Sequence, residues 1–120
     1  MKKMKSVLSF AAAAEVATGA ALLIVPSLVG RVLLGARLTG VAVPVARVAG
    51  IALVALGVAC WGRPALGMLI YSAAVGLYLA YLGFAGAANG ILLWPVVVLH
   101  VVLAVLLARA SSTPAKGEGR

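Results

Sequence analysis

Acidic residues are almost absent: the chain has two, Glu15 and Glu118, against ten lysines and arginines. Two acids fall short of what a closed metal site within one chain requires, which demotes metal-assisted hydrolysis. Cysteine occurs once, as Cys60, which excludes an intrachain disulfide, a CxxC redox pair and a cysteine-based metal site. One histidine, His100, leaves too few ligands for a closed metal centre within one chain. The sequence therefore predicts no enzyme, no cofactor and no metal. Long polar stretches are missing as well. Charged residues make up 10% of the chain and hydrophobic ones 65%, far from the balance of a soluble domain and expected of a membrane protein.

What is present is apolar sequence in four blocks, at about 6–25, 44–62, 66–86 and 91–108. Each is close to the ~20 residues that a helix needs to cross the hydrocarbon core. Pro26, Arg63-Pro64, Asn89-Gly90 and the run Arg109–Ser112 punctuate their ends. The predicted fold class is all-α, an integral membrane bundle of four transmembrane helices. It forms one domain over 1–110, and "SSTPAKGEGR" at 111–120 reads as a disordered cytoplasmic tail. The connection "PSLVGRVLLGARLTGVAVPVAR" is too apolar for a solvated loop. Leu28, Val32 and Leu34 with Arg31 and Arg37 fit a short interfacial helix, and a re-entrant segment over 26–43 stays open as the other reading.

The net charge of +8 does not point to nucleic acid, because the basic residues sit at segment ends instead of on one polar surface. Lys2, Lys3 and Lys5 precede the first block, Arg63 lies in the second connection, and Arg109, Lys116 and Arg120 follow the last block. Only Arg31, Arg37 and Arg47 fall on the other side. This split predicts both termini in the cytoplasm of a cell membrane, a bacterial cytoplasmic membrane being the expected one. Three lysines before an apolar run also open a signal peptide, with "AAAA" before Glu15 as the cleavage site, but hydrophobic sequence resumes directly and favours a retained span. The expected partners are the lipid bilayer and a second copy or another membrane protein.

Glu15 lies nine residues into the first block, near mid-membrane, where a lone charge costs at least ~2.5–3.5 kcal/mol. The spacing Ala11-x3-Glu15-x3-Gly19 puts small residues one turn above and below it, so another helix can approach closely. Arg47, with Gly50 and Gly57 on its own stripe, is the first candidate partner; the competing reading lets it extend outward to lipid phosphate. His100 is also near mid-depth, either as a proton-relay partner of Glu15 or as a neutral residue satisfied by a hydroxyl. In the third block Ser72, Gly76 and Ala80 form a small-residue ridge. Tyr71 and Tyr78 lie on another face, and Tyr78, the deeper, is expected to need a polar partner. The candidate polar cluster is thus Glu15, Arg47, Tyr78 and His100; the candidate packing residues are Gly19, Gly50, Gly57, Ser72, Gly76 and Ala80.

A first-helix Glu-x3-Gly, a proline-ended helix followed by "LLG", and "RVAGIALVALGVACW" in the second long span resemble the DoxX-like group of small four-helix bacterial membrane proteins. That resemblance implies a four-helix bundle without settled chemistry. Locally, "AEV" at Ala14–Val16, followed by small residues and a threonine, is similar to the first helix of small multidrug resistance transporters. In that family an intramembrane glutamate exchanges protons for cationic drugs, a role the resemblance assigns to Glu15. Two functions are therefore expected: an accessory or structural membrane protein with a buried Glu15–Arg47 pair, or a small proton-coupled transporter built on Glu15. The two demand opposite things of Arg47, since a carboxylate locked onto an arginine is not free to exchange a proton for a cation.

Overall fold

The structure is a computed structural model that describes residues 2–112. The described residues are all-α, and four of the helices are long and apolar enough to cross a membrane. In chain order they are α1 (Lys2–Ile24), the short α2 (Pro26–Val29) continuing into a π-helical turn (Gly30–Leu34), α3 (Ala42–Cys60), α4 (Pro64–Phe84) and α5 (Leu93–Ser112). The predicted tail from 113 onward lies outside the described residues.

The blocks read from hydropathy differ from the helices at their ends. α1 begins at Lys2, not at Ser6, because no glycine or proline interrupts "KKMKS" and lysine, methionine and leucine are good helix formers. α5 extends through Ser112, two residues into the segment expected to be tail. Proline explains the starts. Pro26 and Pro64 stand at the first position of α2 and α4, and Pro44 and Pro95 in the first turn of α3 and α5, where the missing N–H costs no helical bond. Gly86 ends α4 in the left-handed region at φ 74°. There the Ala87 N–H reaches back to the Leu82 carbonyl and the Gly86 N–H to that of Gly83, closing the last carbonyls as a glycine-ended helix does.

The chain forms two compact units, Met1–Gly67 and Met68–Arg120. In the first, α1 and α3 run antiparallel: Gly50 lies against Gly19, Leu22 and Leu23, and Gly57 against Ala12 and Val16. The approach is backbone on backbone. A methyl group at Gly19 would stand 2.5 Å from the Gly50 carbonyl oxygen, and one at Gly50 would stand 2.6 Å from that of Gly19. Ala12, 0% exposed, closes the other end of the crossing. Lipid gives two apolar helices no hydrophobic reason to associate, so this contact depends on the close packing that small residues permit. The first turn of α4 joins the unit, where Gly67 packs on Ala55 and Ala59.

In the second unit α4 and α5 are also antiparallel, with Gly76 facing His100 and Val101 and Gly83 facing Leu93 and Trp94. The rings of Phe84 and Trp94 meet edge to face at 4.9 Å. Ser72 is 0% exposed and Val75 2%, so the buried face of α4 is wider than a ridge of every fourth residue, and Ala80 lies at its half-buried margin. Leu77, 71% exposed, marks the opposite face.

Candidate functional site: the intramembrane polar residues

Glu15 sits on the shoulder of the α1–α3 crossing. It is half-buried, next along α1 to Val16, with the buried Ala12 and Gly19 about one turn away on either side. Its level on α3 is set by the Gly57 contacts with Ala12 and Val16. Arg47 is on the far side of Gly50, which itself lies opposite Gly19, Leu22 and Leu23. At 1.5 Å per residue, Arg47 is displaced from the level of Glu15 by about 10–15 Å along the axis.

The expected Glu15–Arg47 pair is accordingly not made. Neither residue has an ion pair or a hydrogen bond through its side chain among the described residues. The cause is register. Hydropathy places both residues within the span but cannot say which turns of α3 lie opposite which turns of α1, and the glycines fix an alignment that leaves Arg47 level with the end of α1. There its side chain can extend toward the membrane boundary, the second of the two roles read from the sequence.

His100 in α5 donates from Nδ1 to the Val96 carbonyl oxygen, four residues earlier in the same helix, at 2.8 Å. With that proton on Nδ1, Nε2 carries the lone pair in the neutral ring. The imidazole stands edge to face with Tyr71, ring centres 5.7 Å apart and planes at 61°. Sequence reasoning expected a hydroxyl or Glu15 as the partner and missed the carbonyl one turn back. The helix itself supplies such an oxygen to any residue whose side chain can fold down onto it. Tyr71, not the deeper Tyr78, is the tyrosine beside His100; Tyr78 is half-buried and makes no side-chain hydrogen bond among the described residues. The Ser72 hydroxyl, fully buried, likewise has no partner among them.

Glu15 and Arg47 therefore belong to the first unit, Tyr78 and His100 to the second, and neither pair is bonded internally. No group of three or more histidine, cysteine, aspartate or glutamate side chains converges among the described residues. The described residues of the first unit include two recesses of note. One of about 380 Å³ is an apolar groove between α1 and the α2–π segment, with Ala21, Leu28 and Val32 in its walls. The other, about 300 Å³, lies where the start of α1 meets the end of α3 and is lined by Lys5, Leu8, Ser9, Cys60, Trp61 and Gly62.

Four long apolar helices with polar groups set singly inside them define a multi-pass membrane protein. No protein family, no curated protein and no solved structure matches the chain.

Proposed function

We propose that the chain is an accessory or structural protein of a cell membrane, with both termini cytoplasmic, in which Glu15 offers a polar contact to a further membrane helix from a second copy or another protein. The observation that supports this is the position of Glu15 beside a closely packed helix crossing with no side chain among the described residues bonded to it. A carboxylate at that depth is costly unless protonated or partnered, and the neighbouring small residues Ala11 and Ala14 leave room for a helix to approach. In-membrane crosslinking of the native chain and of Glu15→Gln tests it: the carboxylate-dependent species is lost in the variant while the monomer keeps its helical content. Identical crosslinking patterns would remove the proposal.

A second reading, a small proton-coupled transporter, is favoured by the displacement of Arg47, which leaves the carboxylate free of a cation lock. Proteoliposomes carrying a pH gradient and a fluorescent quaternary cation separate the two readings. Uptake that depends on the gradient and disappears in Glu15→Gln establishes transport; no uptake by the native chain rules it out.

A further inference from the structure

The recess at the shared end of α1 and α3 has a wall that mixes a cation, a hydroxyl and an indole with apolar atoms. Lys5 and Ser9 are one turn apart on α1 and so stand on one face, while Trp61 and Gly62 close the opposite side at the end of α3. Gly62 is in the left-handed region at φ 84°, which turns the chain sharply and carries it past the recess into Arg63. Trp61 is 50% exposed, in the place at a helix end where indoles sit among headgroups. None of the side chains of Lys5, Ser9 and Trp61 bonds to a described residue, so one ammonium, one hydroxyl and one indole N–H remain to be used.

We propose that this recess binds the phosphate of an anionic phospholipid, with Lys5 supplying the charge and Ser9 and Trp61 supplying neutral donors, while Leu8 and the indole ring line the path of the acyl chain. A lipid is the occupant, in preference to a soluble anion, because the recess opens at the end of two helices of membrane-spanning length and part of its wall is apolar. Lys2, Lys3 and Arg63 add positive charge around it and raise the local concentration of anionic lipid. The inference rests on the membrane assignment alone and is independent of what Glu15 does.

The chain has two tryptophans, so Trp94→Phe leaves Trp61 as the sole indole. That variant is placed in phosphatidylcholine vesicles containing either phosphatidylglycerol or phosphatidylcholine brominated near the headgroup end of the acyl chain. Brominated phosphatidylglycerol is expected to quench Trp61 at a clearly lower mole fraction than brominated phosphatidylcholine. Lys5→Gln reduces that preference by more than about fivefold, the diffuse share of any one lysine near the surface, because it also loses the direct phosphate contact, and Lys3→Gln reduces it clearly less. Ser9→Ala, which perturbs folding least, gives a partial loss. The complementary Trp61→Phe chain, reporting from Trp94, shows no such preference. Equal quenching of Trp61 by the two lipids overturns the proposal, and so does an equal loss in Lys3→Gln and Lys5→Gln, which would mean diffuse attraction to a basic chain end.

Discussion

At Gly50 a methyl group would meet the Gly19 carbonyl at 2.6 Å, so any larger residue must push α1 and α3 apart. Gly50→Leu should lower stability by at least ~1–3 kcal/mol, whereas Ala13→Leu on the exposed face of α1 should be tolerated; unfolding by titrated detergent in mixed micelles gives both numbers. Glu15 and Arg47 make a contrasting case. Standing at different levels and unbonded, they should behave independently, and the losses in Glu15→Gln and Arg47→Met should add to within ~0.5 kcal/mol in the double variant. A coupling well above ~1 kcal/mol would show that the pair forms in the bilayer. At His100 two neighbouring substitutions should separate packing from hydrogen bonding. His100→Leu forfeits one bond to the Val96 carbonyl, worth about 0.5–1.5 kcal/mol, while Gly76→Leu intrudes on a neighbour whose Cβ is already 3.3 Å from where a new one would be. Thermal unfolding in one detergent should rank Gly76→Leu as the more damaging.

Individual helices owe their limits to single residues. Gly86 holds a left-handed turn that alanine enters only at a cost of about 1–2 kcal/mol, so Gly86→Ala should destabilise the α4–α5 hairpin by that amount in the same unfolding assay. A loss near zero would mean that the turn rearranges freely. The existence of the four long helices was legible in the sequence because lipid demands uniform apolar length, which composition alone displays. Their starts were less legible: Pro26 reads as a stop from hydropathy, yet it opens α2, since a fixed φ suits the first turn as well as it blocks an interior one. Pairing and register were not legible. Small residues at Gly19, Gly50 and Gly57 indicate that some helix comes close, but the same glycines permit several alignments, and it was the alignment that separated Glu15 from Arg47. The recess lined by Lys5, Ser9 and Trp61 was hidden for the same reason, since its walls lie more than fifty residues apart in sequence.

For the molecule as a whole, the distribution of lysine and arginine is the feature from which a direction in the membrane is expected. Lys2, Lys3, Lys5 and Arg63 fall toward the end where α1 starts and α3 finishes, and Arg31 and Arg37 toward the other. Neutralising Lys2, Lys3 and Lys5 together would leave the two sides nearly balanced. On the proposed orientation, with both termini cytoplasmic, reporter fusions after Arg120 should therefore change from cytoplasmic to a mixture of both orientations, while fusions at Asn89 change in the opposite sense. An unaltered pattern would mean that orientation is set by something other than these lysines. The glycine contact between α1 and α3 carries a thermal consequence as well. Gly19, Gly50, Gly57 and Ala12 have no rotamers to freeze, so closing this crossing spends side-chain entropy only at flanking residues such as Val16, Leu22 and Val54, and a lipid-solvated contact has no water-release term that weakens in the cold. The α1–α3 hairpin should therefore hold together about as firmly in a chilled membrane as in a warm one.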